Sequence, residues 1–196
     1  MDSIPYLLKR NYFNEEELSL IFDELNFINN PYLMREPHLT GSGMRETGEL
    51  KKNNKGIFLS EVFNEPNCSS MWRCSRKIFN GDTIEYSELH LSNRSILSTN
   101  SSSILYSYYE NSDYYESHRD DSVVTVLYWF FKEPKKFYGG NLTFDDTGEV
   151  IEVTNNTMIM FPSWAHHSVS EVSMSDVNLN KKLGRYCVTQ FLNITS

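Results

Sequence analysis

Asn14-Glu-Glu-Glu17 is followed by apolar residues at Leu18, Ile21, Phe22, Leu25 and Phe27/Ile28. Steps of three and four place these on one face of a helix. Asn14, with Glu17 three residues later, has the form of a capping box. The pattern predicts a helix over residues 15–28. A second helix is predicted from Ser69 to Phe79, with Met71, Trp72, Cys74 and Ile78 inward and Asn80-Gly81 ending it. Residues 30–56 between them are polar and punctuated by Gly and Pro, with Lys51-Lys-Asn-Asn-Lys55 inside. They read as a long loop of the kind that forms lids.

The texture changes near residue 100. Ile104 to Tyr109 is strand-like, and Val123-Val-Thr-Val-Leu-Tyr-Trp-Phe-Phe131 is a β-branched and aromatic run. Short strands are then predicted at Asn141 to Phe144, Val150 to Val153, Thr157 to Phe161, His167 to Val172 and Arg185 to Leu192. Helices come first and strands afterwards, with no βα alternation and no internal repeat. This predicts a mainly β barrel or sandwich supported by N-terminal helices. Residues 1–99 would be helical support and lid-like loop, and residues 100–196 the β core, within one domain.

Composition narrows the partners. The chain has 196 residues and a formal charge of -8, with 39% hydrophobic and 22% charged residues. That is globular and one domain in size. The acidic balance argues against a nucleic-acid or anionic-membrane binder, which would want a basic face. No stretch reaches the length of a membrane span. Tyr6-Leu7-Leu8 before Lys9-Arg10 is the wrong order for a signal peptide. Cys68, Cys74 and Cys187 lack zinc-site spacing and read as reduced thiols of a cytoplasmic protein.

The chemistry concentrates in the β half. A facial triad of two His and one carboxylate holds iron(II) on one side and leaves three positions open. His118-Arg119-Asp120 offers two of the three. Residues i and i+2 of an extended segment point the same way, and Asp121 has the wrong parity. Taken alone, His118 also fits a hydrogen-bonded structural histidine. Met158-Ile-Met-Phe-Pro-Ser163 leads to His166-His167, which must point to opposite faces, so one of them can complete the metal face. Arg185 heads the last apolar strand, where a buried guanidinium needs an anionic partner. It either meets the distal carboxylate of 2-oxoglutarate bidentately or keeps its head in water at the strand's start.

From Leu105 to Leu192 these residues carry a family resemblance. Tyr109-(x)5-Tyr115-x-x-His118-x-Asp120, Leu127-Tyr128, Gly139-Gly140-Asn-Leu142, Phe161-Pro-Ser163-x-x-x-His167-x-Val169 and Gly184-Arg185-Tyr186 occur in order. The stretch resembles the prolyl-hydroxylase branch of the iron(II)/2-oxoglutarate dioxygenases. The resemblance implies a double-stranded β-helix, a distorted jelly roll of the cupin-like kind. It implies His118, Asp120 and His167 as iron ligands and Arg185 as the clamp on the co-substrate. Tyr128 would hydrogen-bond the same carboxylate, although the count could slip to Trp129. Tyr109 and Tyr115 would lie near substrate and ligand loop, or in plain core, and Leu142 would wall the co-substrate pocket.

Two departures stand out. Ser173 to Leu183 lengthens the span before Arg185, and the turn between Tyr109 and Tyr115 lacks the family's usual Pro-Gly. A carboxylate at Asp120 favours hydroxylation over halogenation, and Phe191 stands where nucleic-acid demethylases carry a second Arg. The expected reaction is hydroxylation of an unactivated C–H bond, releasing succinate and carbon dioxide. The substrate would be a peptide residue, prolyl among the candidates, or a free amino acid or small metabolite. Iron(II), 2-oxoglutarate and dioxygen are required, with ascorbate a candidate reductant. The alternatives are a cupin-like module binding a metal or sugar without oxidation, and a non-catalytic iron or oxygen sensor built on the same site.

Overall fold

The computed structural model describes residues 3–40 and 44–195. Its strands, in chain order, are β1 (Leu7–Arg10), β2 (Lys55–Phe58), β3 (Ser101–Tyr109), β4 (Tyr115–His118), β5 (Val124–Phe130) and β6 (Phe137–Tyr138). They continue as β7 (Leu142–Phe144), β8 (Glu149–Ile151), β9 (Thr157–Pro162), β10 (His167–Val169), β11 (Ser173–Met174) and β12 (Arg185–Asn193). A six-stranded sheet runs β1-β9-β5-β12-β3-β2, and a four-stranded sheet runs β4-β10-β7-β8. Every pairing is antiparallel. The two sheets form the jelly roll, with β6 and β11 as a small separate pair.

Strand alternation divides the interior in two. Tyr106, Tyr108, Val126, Tyr128, Phe130, Tyr186 and Val188 face the helices in one core, together with Ile21, Leu25 and Ile28. Tyr109, Leu127, Trp129 and Cys187 point the other way, into a second core shared with Leu142, Phe144 and Val169 of the smaller sheet. Each fully buried aliphatic or aromatic side chain contributes roughly 1.5–3 kcal/mol. A cavity opens within the second of these layers.

Helix α1 (Glu15–Ile28) begins where expected, and both halves of the capping box are formed: Asn14 Oδ1 accepts from Glu17 N, and Glu17 Oε2 from Asn14 N. Such caps contribute about 1 kcal/mol. Helix α2 (Ser70–Ser75) continues into a 3-10 segment, Arg76–Asn80, and ends at Gly81 with φ 136°. A third helix, α3 (Asp82–Leu89), and a 3-10 segment, Leu91–Ser98, follow it. No described helix is long and apolar enough to cross a membrane, and the three cysteines are free thiols.

Two expectations about the first half change. Residue 100 does not divide the large sheet, because β1 and β2 supply its two edges. Both are four residues long, too short for their periodicity to declare itself. Residues 30–56 are also more ordered than a plain loop. Arg35 pairs with Gly56, Met44 with Leu50, and Lys52 with Tyr115. Residues 41–43 of that segment lie outside the described residues.

Candidate active site

Antiparallel register places His118, at the end of β4, directly opposite His167, at the start of β10. Asp120 lies just beyond β4 and is held by its own backbone, whose N–H donates to Ser163 O at 3.1 Å. The three side chains converge: one ligand atom from each lies within 4.8 Å of the others, a spacing that can hold a metal ion. His118 Nε2 is 3.8 Å from Asp120 Oδ1, and His167 Nε2 is 3.6 Å from Asp120 Oδ2. His166 points outward and pairs with Asp146, as the parity of neighbouring strand residues requires.

Both imidazoles are oriented from behind. His118 Nδ1 lies 2.8 Å from Glu116 O, and His167 Nδ1 lies 3.0 Å from Ala165 O. A carbonyl can only accept, so each Nδ1 carries the proton and each Nε2 lone pair faces Asp120. Burial, with His167 alongside, lowers the pKa of His118 to about 2, which keeps it neutral. Thr125 donates to Asp120 Oδ2 at 2.6 Å, and Thr125 is in turn 2.8 Å from Ser163 Oγ. Thr125 and Ser163 are both fully buried. The sequence reading missed them, although the outward-from-helix parity of Thr125 on β5 marks it as facing the cavity.

A cavity of about 390 Å³ runs from this cluster across the large sheet. It is lined by alternate residues: Leu105, Ser107 and Tyr109 of β3, and Arg185, Cys187 and Thr189 of β12. Arg185 is completely buried. Its guanidinium stacks on the Tyr109 ring, with Cζ 4.7 Å from the centroid, and lies 5.8 Å from that of Trp129. Among the described residues, Arg185 Nε, Nη1 and Nη2 have no hydrogen-bond partner, and neither does Trp129 Nε1. The Cys187 thiol is near enough to feel the guanidinium, but sulfur is too weak an acceptor to satisfy it. Leaving a buried cation unpaired costs several kcal/mol. An anion with two oxygens is the ligand this end of the cavity fits.

The Gly139-Gly140 pair now has a physical explanation. Gly140 has φ +69°, and a Cβ there would lie 2.8 Å from Arg185 Cδ. Both the left-handed backbone and the close approach exclude a side chain. Gly184 is constrained by contact alone, since its Cβ would sit 2.1 Å from Tyr109 O.

Other expected residues sort by strand parity. Tyr109 lines the cavity, and so does Tyr115, whose ring stacks on His118 with centroids 3.6 Å apart. Leu142 pairs with the cavity-lining Val169 but is itself buried in the core behind it. Tyr128 is a correction. Its hydroxyl donates to Gln190 Oε1 at 2.8 Å, and its ring packs on Phe13 in the helix-side core. It faces away from Arg185 because Trp129, not Tyr128, is the cross-strand partner of Cys187. The orphaned donor on that strand is one residue later, on the Trp129 indole.

One cavity residue was unforeseen. Lys52, read as part of a polar loop, is 1% exposed and lines the cavity near Asp120. Burial pulls its pKa down to about 8, against the opposing pull of Asp120.

Residues 104–193 match the family model of the 2OG-Fe(II) oxygenase superfamily. No curated protein matches the chain at a significant level. Among solved structures it is similar to a Pseudomonas putida prolyl-4-hydroxylase, with TM-score 0.63 and 12% identity over 99% of this chain and 95% of that one. It is also similar to a viral collagen prolyl hydroxylase from Paramecium Bursaria Chlorella virus-1 in complex with 2-oxoglutarate (TM-score 0.61, 11% identity, 96% and 95% covered). A third is a Trichoplax adhaerens prolyl hydroxylase bound to a hypoxia inducible factor peptide fragment (TM-score 0.61, 13% identity, 98% and 84% covered). At these identities the structural likeness speaks for the fold.

Proposed function

We propose, on the premise that residues 104–193 make this chain a 2OG-Fe(II) oxygenase, that it hydroxylates an unactivated C–H bond. His118, Asp120 and His167 would hold the metal, and Arg185 would hold the distal carboxylate of 2-oxoglutarate. The observation that carries this reading is Arg185, a buried guanidinium in the same cavity as the triad, without a hydrogen-bond partner among the described residues. A module that merely binds metal or sugar would leave that cation unpaired at a cost of several kcal/mol.

The residues divide the work. His118 and His167 present neutral Nε2 atoms because the backbone carbonyls behind them fix each tautomer. Thr125 pins one oxygen of Asp120, so the carboxylate cannot rotate away from the histidines. Arg185 would offer its unpartnered guanidinium donors to the co-substrate carboxylate, with the Tyr109 and Trp129 rings packed against it. When bound, iron(II) supplies the redox chemistry by which dioxygen oxidises both partners. One oxygen atom enters the substrate C–H bond as a hydroxyl. The other enters succinate, formed as 2-oxoglutarate loses carbon dioxide.

The substrate class is a peptide residue, prolyl among the candidates, or a free amino acid or small metabolite. Three free thiols support a reducing, cytoplasmic setting, and ascorbate is the reductant to supply in assays. Iron(II) and 2-oxoglutarate added without oxygen are expected to produce a weak visible charge-transfer band. Admitting oxygen should then release succinate, and Asp120→Ala should do neither. Tight metal binding by the wild-type protein without band or succinate would overturn the reading in favour of a binding module.

A further inference from the structure

The cavity holds a second cation that the co-substrate does not account for. Lys52 is almost wholly buried, at 1% exposure. Its ammonium donates to the Thr40 carbonyl, the one acceptor described for it, and lies 5.1 Å from the centroid of the Tyr115 ring. Tyr115 stacks on His118, so Lys52 stands one ring away from the triad. An ammonium has three donors, and neither a carbonyl nor an aromatic face neutralises its charge.

Counting charges in the filled site, on the oxygenase reading above, leaves a residue. A divalent ion outweighs Asp120 by one positive charge, and Arg185 and Lys52 add one each. 2-Oxoglutarate brings two negative charges, so one positive charge is unmatched. Asp120 is the acidic group whose field reaches Lys52, and the metal would claim it. Asp121 also lines the cavity, but it is exposed and screened by solvent. The other lining residues near β3 and β12 offer hydroxyls and apolar surface, such as Ser103, Ser107, Thr189 and Phe191.

We propose that Lys52 is a specificity-determining residue that pairs with a carboxylate of the substrate. The substrate is then a free or N-acylated amino acid, or a comparable small carboxylic acid, and not an interior residue of a peptide. Lys52 and the triad share one cavity of about 390 Å³. An acid held at the ammonium therefore keeps its carbon chain within the space that the triad faces. 2-Oxoglutarate does not require this cation, since its distal carboxylate would already have Arg185.

The test uses protein loaded with manganese(II) and 2-oxoglutarate, which binds without turning over. The probes are the proteinogenic L-amino acids, their N-acetyl derivatives and the matching carboxamides, read by thermal shift and calorimetry. At least one acid should bind the wild type, with its carboxamide about tenfold weaker or worse, as expected when one member of a buried charge pair is lost. Lys52→Met should lose that acid by a similar factor, and Lys52→Arg should keep the preference for acid over amide. Both variants are first shown to be folded by circular dichroism. The iron(II)/2-oxoglutarate absorption band should be the same in Lys52→Met as in wild type. The proposal is overturned if no acid binds, if acid and amide bind alike, or if folded Lys52→Met binds the acid as well as wild type. Loss of the band from folded Lys52→Met also overturns it, by assigning Lys52 to the co-substrate. Absence of the band from the wild type itself would sink the oxygenase reading, and this inference with it.

Discussion

Thr125 donates its hydroxyl proton to Asp120 Oδ2 across 2.6 Å, from the face of β5 that looks into the cavity. A carboxylate can adopt many orientations, and this bond, with Ser163 behind it, selects one. Partners behind metal ligands characteristically set affinity through such orientation. Thr125→Val keeps the β-branched shape and removes only the donor. Metal affinity is expected to fall about 10–100-fold, measured by manganese(II) titration, with little change in melting temperature. Unchanged affinity would show that Asp120 needs no such support.

Arg185 exchanges stability for binding. Its guanidinium is buried without a hydrogen-bond partner among the described residues, a state that isosteric apolar replacement relieves by about 1–4 kcal/mol. Arg185→Met is therefore expected to melt at a higher temperature than wild type when 2-oxoglutarate is absent. It should also fail to gain stability when 2-oxoglutarate is added with metal. Paired thermal melts measure both, and a destabilised variant would contradict the account.

Gly140→Ala acts on the same side chain from behind. A Cβ at this position meets Arg185 Cδ at 2.8 Å, on a backbone at φ +69°. The left-handed conformation alone costs about 1–2 kcal/mol for a residue with a Cβ. Denaturant unfolding should show at least that loss, and calorimetry should show weaker 2-oxoglutarate binding as Arg185 is displaced. Loss of stability without loss of affinity would mean that the glycine serves only the turn.

Asp113 replaces the missing Pro-Gly in the turn between β3 and β4, accepting a hydrogen bond from Glu110 N at 2.8 Å. Burial raises its pKa from 3.8 to about 6. The folded state thus binds more protons than the unfolded state between those values, so this group's contribution is fully present below the unfolded pKa and is lost as pH rises through about 6. Asp113→Asn retains an acceptor and does not titrate. The stability of wild type relative to this variant should fall as pH rises from about 4 to about 6. A flat difference across that window would place the carboxylate in water.

Legibility in the sequence followed physical cause. His118 and Asp120 could be paired because a two-residue step fixes direction in extended chain, whereas divergence of the adjacent histidines admitted only one of them and the family resemblance chose His167. Residues 123–131 gave no such guidance: β5 is buried on both faces, so its apolar run does not alternate. That is why Tyr128 was expected where Trp129 lies. Lys52 was illegible for a different reason. Nothing local distinguishes it from Lys51 or Lys55, and only the long-range pairing of its segment with Tyr115 turns it inward. The short edge strands β1 and β2 depend on the same kind of distant contact.

Because odd-numbered residues of β3 and β12 look into the cavity while even-numbered ones bear the helices, the two tasks of each strand are inherited on separate positions. Exchanges at Ser103, Ser107, Thr189 or Phe191 can remodel what the enzyme accepts without disturbing Tyr106, Tyr186 or Val188 beneath the helices. A scaffold arranged this way can change its diet through a handful of odd-numbered codons.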